Sequence, residues 1–129
     1  MVFGTFDGLH KGHIDFFKQA KALTRFPYLI VSVARDENVL KIKKRKPILN
    51  ESQRKRLISR LKLVDEVILG GRRNHIPHII KENPQIIALG YDQKFYTKNL
   101  KKDLEKCGIE VKIKRLKPYK EKIYKNRLI

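Results

Sequence analysis

The sequence predicts an α/β protein, a single doubly wound domain over residues 1–129 built on a five-stranded parallel sheet, with a basic tail at 117–129. Three observations predict it. Short apolar runs alternate with amphipathic stretches, in the order βα four times and then β. Tyr28–Ala34 (Y-L-I-V-S-V-A) is nearly all apolar, as a strand covered on both faces must be. A chain of 129 residues suits one domain with its own core.

Each element has a local reason. Met1–Phe3 is a short strand and Gly4–His10 a turn. Lys11–Thr24 places Ile14, Phe17, Ala20 and Leu23 on one helical face. Tyr28–Ala34 is the second strand, and Asp36–Ile42 a helical turn. Lys43–Leu49 is a basic loop containing Pro47. Asn50 followed by Gln53 has the spacing of a capping box, which starts a helix running to Lys62 with Leu57, Ile58 and Leu61 inward. Val64–Leu69 is a strand ended by Gly70-Gly71. His75–Glu82 is a short helix around Pro77, and Gln85–Leu89 a strand that Gly90 ends. Thr97–Lys106 is a helix with Leu100 and Leu104 inward and Gly108 as its stop. Ile109–Leu116 alternates apolar with charged residues, the pattern of a half-exposed edge strand. Ligands in such folds bind beyond the carboxyl ends of the strands, so the loops at 4–13, 35–49, 70–75 and 90–96 carry the expectations of function.

Composition narrows the partners. The chain has 31 Lys+Arg against 13 Asp+Glu, a net charge of +18. The segments 41–62 and 94–129 carry +9 each, so the remainder is neutral overall. An anionic partner is implied: a phosphorylated small molecule, a nucleic acid or a membrane surface. Nucleic acid is disfavoured because no aromatics interleave with the basic run at 41–62. A membrane surface is disfavoured because the tail is poor in bulky apolar residues, and no apolar run approaches the ~20 residues of a span. Cys107 is the lone cysteine. With no visible signal peptide, a reducing cytoplasmic setting is expected.

The densest polar stretch is Gly4-Thr5-Phe6-Asp7-Gly8-Leu9-His10-Lys11-Gly12-His13. A glycine turn leading into a helix N-terminus offers unpaired N–H groups to an anion. His10 and His13, three residues apart at the helix start, can face one point, and Gly12 lets a phosphate approach the backbone. A zinc site from Asp7, His10 and His13 would have suitable ligand types, but nothing else supplies ligands and Cys107 is distant.

G-T-F-D-x-x-H-x-G-H resembles the signature of the cytidylyltransferase-like nucleotidyltransferases, whose H-x-G-H core is related to the H-I-G-H motif of class I aminoacyl-tRNA synthetases. The resemblance continues through Ala34-Arg35-Asp36-Glu37-Asn38-Val39, Lys44-Arg45-Lys46-Pro47-Ile48, Gln53-Arg54, Leu63-Val64-Asp65-Glu66-Val67 and Ala88-Leu89-Gly90-Tyr91-Asp92-Gln93. The set is most similar to the small archaeal-type FAD synthases, and more distantly to glycerol-3-phosphate cytidylyltransferases. It implies a Rossmann-like fold and transfer of a nucleoside monophosphate from a nucleoside triphosphate, ATP before CTP, to a phosphate monoester, with pyrophosphate released. FMN is the first expected acceptor and a polyol phosphate the second. Mg²⁺ or another divalent cation would enter on the phosphates, with no metal ligands from the protein. Relatives are often dimers, so a homodimer is expected. A basic nucleic-acid-binding module that has lost catalysis is the reading from another class.

The resemblance also implies roles. His10, His13, Lys41 and Lys46 are the expected catalytic residues. Gly4, Thr5, Phe6, Gly12, Arg54, Gly90, Asp92, Asn126 and Arg127 are expected to join the two histidines in holding the nucleotide. Asp7, Lys41, Lys46 and Tyr91 are expected to meet the acceptor. Asp7 has another reading, as an Asx-turn residue satisfying its own loop. Tyr91, Phe95 and Tyr96 form an aromatic cluster placed to stack on a ring or to lid the core. His75 and His78 read as structural. Lys62 stands where some relatives carry Arg and is a weaker phosphate ligand. Two departures lower the expected activity. Ile123-Tyr124-Lys125-Asn126-Arg127 lacks the Ser/Thr pair that relatives place there, and only three residues precede the Gly-Thr-Phe-Asp turn, which reads as a clipped start.

Overall fold

The computed structural model describes residues 1–72, 74–93 and 99–119. The elements are β1 (Val2–Gly4), α1 (Lys11–Lys21), β2 (Ile30–Val33), α2 (Asp36–Lys43), α3 (Glu51–Ser59), β3 (Glu66–Leu69), α4 (Ile76–Glu82), β4 (Ile86–Leu89), α5 (Leu100–Lys106) and β5 (Lys112–Arg115). Asn126, Arg127, Phe95 and Tyr96 lie outside the described residues, so the expectations placed on them do too.

All the strand pairings are parallel, and the strands stand in two ladders, β1-β2-β3 and β4-β5, rather than one continuous sheet. What joins the ladders runs through Met1, whose nitrogen donates to the Ile86 carbonyl (2.8 Å) and whose carbonyl accepts from Ala88 (3.0 Å). The spatial order is therefore β3-β2-β1-β4-β5, and the order in which the chain adds strands reverses between β1 and β4.

Residue alternation along the strands sorts the core onto two faces. Val2, Val31, Val33 and Ala88 pack with Phe17 and Ala20 of α1 and Ile58 of α3. Phe3, Ile30, Ile87 and Leu89 pack with Ile79 of α4 and Leu100 and Leu104 of α5. Helices thus cover both faces, which is the doubly wound arrangement. The Asn50–Gln53 capping box forms as its spacing predicts, with Gln53 N–H donating to Asn50 Oδ1 (2.8 Å) and Asn50 N–H to Gln53 Oε1 (2.9 Å). Gly108 takes the left-handed conformation (φ 77°) that ends α5. β5 is the exposed edge its alternation announces.

One boundary moves a functional expectation. The segment expected as a helical turn to Ile42 is a full helix to Lys43, closed by Lys44 in the left-handed region (φ 61°). Lys41 and Lys43 are therefore helical, and only the residues after them form the loop. No helix among the described residues is long and apolar enough to cross a membrane.

Candidate active site

A cleft of about 960 Å³ opens over the carboxyl ends of β1 and β4, at the switch in strand order. Small-molecule sites span roughly 300–1,000 Å³, and this cleft lies at the large end of that range.

Its floor is the turn after β1. Phe6 has φ 54°, a conformation a bulky residue rarely adopts. Burial of its ring offsets that cost. The ring is 5% exposed and stands edge-on to His13, with centroids 5.4 Å apart. A Cβ on Gly4 would lie 2.5 Å from the tip of the Phe6 ring. Gly4 thus makes room for Phe6, and Phe6 braces His13. The Phe6 ring is a core group; from this residue the turn offers a nucleotide only its backbone. Gly4→Ala is expected to cost about 1–3 kcal/mol through overpacking and to lower turnover with it. Thermal unfolding of the variant checks this, and an unchanged midpoint would contradict the packing.

The two histidines form a reciprocal capping box at the start of α1. Gly12 N–H donates to His10 Nδ1 (2.9 Å), and His10 N–H donates to His13 Nδ1 (3.3 Å). An Nδ1 that accepts carries no proton, so the ring proton of each sits on Nε2. The rings stack with centroids 3.9 Å apart and an interplanar angle of 20°. Both residues line the cleft, and the Nε2 of His10 is buried there.

His13 stays neutral at physiological pH. Its pKa falls to about 4, first by burial and then through its electrostatic interaction with His10 and Lys43. His78 also falls to about 4, by burial and then by His75 and Arg35. These folded-state values lie below the ordinary 6.5, so the unfolded chain binds protons that the folded chain refuses. The associated stability is complete above pH 6.5 and is lost as pH drops toward 4. Unfolding titrations across pH 4–7 are expected to show proton uptake on unfolding; a flat profile would contradict the neutral histidines.

The remaining expected residues divide. Thr5, Gly12, Lys41, Gly90, Tyr91 and Asp92 line the cleft. Lys46 does not. It lines a separate hollow with Asp36, Glu37, Ile48 and Gln53, because the chain turns away after Lys44. The lysine brought beside Lys41 is Lys43, whose ammonium is held below its ordinary value chiefly by partial withdrawal from water and then by Arg45. Asp7 and Asp92 act on Lys43 in the opposite direction, so the three charges gather from three different elements. Sequence reasoning missed Lys43; the signal was Val39, buried one helical turn earlier on the same face.

Arg54 does not reach the cleft. It is fully buried, with Nε donating to the Leu49 carbonyl (3.0 Å), Nη1 to the Thr5 carbonyl (2.8 Å) and Nη2 to Asp36 (2.7 Å). The expected nucleotide ligand is instead the tie between the turn after β1, α2 and the loop before α3. Asp7 likewise has a different task from orienting an acceptor, and a longer-range one than an Asx-turn. Its carboxylate accepts from Ile48 N–H (2.7 Å) and Leu49 N–H (2.7 Å), fastening the basic loop to the turn. Arg35 adds a second tie, to the Gly70 carbonyl (2.9 Å) and Glu51 (3.0 Å). Gln93 accepts from Gly90 N–H (2.8 Å) and donates to the Phe3 carbonyl (2.8 Å), clasping the ends of β1 and β4. His75 lines the cleft and stands edge-on to Phe3, while His78 Nε2 lies 3.1 Å from the buried Ser32 hydroxyl.

Among the described residues no group of three or more His, Cys, Asp or Glu side chains is arranged to hold a metal ion. The zinc reading of Asp7, His10 and His13 fails on the same geometry, since both Asp7 oxygens bind backbone and both Nδ1 atoms are occupied.

Comparison with known proteins agrees with this architecture. The cytidylyltransferase-like family model matches residues 1–126. An FAD synthase of Korarchaeum cryptofilum is 50% identical over 117 residues, covering 90% of this chain and 79% of that protein. An FAD synthase of Methanothermus fervidus is 45% identical, covering 94% and 83%. A solved structure, the lipopolysaccharide core biosynthesis protein from Thermoplasma volcanium, superposes with a TM-score of 0.85 at 44% identity, covering 92% of this chain and 95% of that one. With its stacked histidine caps at the switch point and a family match over nearly its whole length, the chain belongs to the cytidylyltransferase-like family.

Proposed function

We propose that this protein is an FMN adenylyltransferase, an FAD synthase that joins AMP from ATP to the phosphate of FMN. The observation that carries the chemistry is the pair of stacked histidines at the switch-point cleft, each with its Nδ1 accepting from a backbone N–H at the start of α1. The acceptor and nucleotide rest on the relatives named FAD synthase, at 43–50% identity over most of the chain. A phosphate oxygen of FMN attacks the α-phosphorus of ATP. The bond from that phosphorus to the bridging oxygen breaks, and pyrophosphate leaves with the bond's electron pair. The nucleophile is already an anion, so the site needs no strong base. Its work is to align the two phosphates and to answer charge as the α-phosphorus becomes five-coordinate. In this reading His10, His13 and the 4–6 backbone hold the triphosphate, and Lys41 and Lys43 meet the approaching phosphate. Asp92 accepts from a ribose hydroxyl.

A divalent cation bound to the nucleotide's own phosphates supplies further charge neutralisation when present. The proposed location is the cytoplasm, in keeping with a lone exposed cysteine.

The solved relative bears a name from a different pathway, so the test is a matrix of ATP and CTP against FMN and glycerol 3-phosphate, read as pyrophosphate release. Turnover is expected with ATP and FMN. Preference for CTP with the polyol phosphate would replace this reading with the cytidylyltransferase one.

A further inference from the structure

We propose that Gln19 is a positioning residue for nucleotide binding, which keys the segment after β5 onto α1 and so builds one wall of the cleft. β5 ends its ladder where Leu116 N–H donates to the Leu89 carbonyl (2.8 Å). Lys117 then leaves the sheet and pairs with a side chain instead of a strand. Lys117 N–H donates to Gln19 Oε1 (2.9 Å), and Gln19 Nε2 donates back to the Lys117 carbonyl (2.9 Å). The second Nε2 hydrogen goes to Asp15, one helical turn earlier (2.7 Å). The network fixes the orientation of the carboxamide, because only the amide nitrogen can face two acceptors and only the oxygen can face Lys117 N–H.

The consequence is geometric. Lys117, Pro118 and Tyr119 line the same cleft as His10 and His13. The histidines open α1, and Gln19 sits nine residues after His10 on the same rigid helix, about 13 Å along its axis. One helix thus sets both the phosphate-facing pair and the wall running from the end of β5. That wall stands beside Gly90 and Asp92 at the end of β4, the half of the cleft given above to the nucleotide; the proposal rests on that assignment. Only a carboxamide supplies a planar donor and acceptor side by side for the clasp, and asparagine's is one methylene shorter. Glutamate, of equal size, turns an oxygen toward the Lys117 carbonyl and toward Asp15, and leucine offers neither donor nor acceptor.

The experiment uses the full chain with Gln19→Leu and Gln19→Glu. Nucleotide affinity is measured by equilibrium dialysis with ATP, which needs no turnover, and FMN affinity is measured separately. Deuterium uptake over 117–119 is followed with and without ATP. Both variants are expected to bind ATP about tenfold more weakly, with FMN affinity within twofold and faster uptake at 117–119, while ATP slows that uptake in the wild type. In assays the KM for ATP rises and kcat holds within twofold. ATP affinity unchanged in a variant whose 117–119 segment has loosened would overturn the proposal, as would unchanged uptake. Weakened FMN binding with intact ATP binding would place the clasp on the acceptor side and overturn it too. If FMN proves not to be the acceptor, the ATP dialysis and exchange results still decide the matter. If Gln19→Glu fails to fold, Gln19→Leu carries the test.

Discussion

His13→Ala is expected to lower kcat by about 10²–10³-fold, the usual cost of losing one donor aimed at developing charge, while far-UV circular dichroism stays unchanged. The reasoning rests on tautomer and stacking. His13 presents Nε2–H because its Nδ1 is taken by the His10 backbone, and its neutral state means that it donates a hydrogen bond rather than a charge. Alanine also removes the ring that packs on Phe6 and His10. Asparagine restores a donor at shorter reach and is expected to recover part of the loss. Full activity in His13→Ala would mean that the phosphate chain lies elsewhere in the cleft.

Arg54→Met is expected to act on stability, costing about 3 kcal/mol, because it removes a fully buried guanidinium whose charge-assisted hydrogen bonds satisfy two backbone carbonyls. The Thr5 and Leu49 carbonyls each lose a donor, and Asp36 loses its cation. A domain of this kind has roughly 5–15 kcal/mol in total, so the loss is a large share. Arg54→Lys is not a rescue, since one ammonium cannot reproduce a planar fork reaching three acceptors. The measurement is chemical denaturation beside ATP dialysis. A lowered midpoint with ATP affinity retained in the folded fraction is the expected result. Weakened ATP binding with an unchanged midpoint would show Arg54 to be a nucleotide ligand after all.

These two residues also show what was legible beforehand. The histidines were legible because their chemistry is local: a turn, a helix start and a three-residue spacing sufficed to bring both rings to one point. Arg54 was not, because the acceptors that bury it come from positions 5, 36 and 49, which no local pattern joins. Lys46 and Lys43 exchanged places for a smaller reason. The helix through Asp36 runs one residue further than expected, and its left-handed end at Lys44 turns the following chain away from the cleft. Asp7 was read for its own loop or for a ligand, yet it binds backbone some forty residues away. The succession of strands and helices was open to the alternation of apolar runs, but the side-by-side order of the strands was not, since it depends on contacts between distant segments. Gln19 carries no local signal of its role, because its partner is 98 residues distant.

The most direct test follows the fate of both products at once. With ATP and FMN, FAD and pyrophosphate are expected to appear in equal amounts, with the α-phosphorus label of ATP recovered in FAD, and both products are expected to fall together in His13→Ala. Release of inorganic phosphate without FAD, or transfer that survives loss of His13, would contradict adenylyl transfer at the stacked histidines.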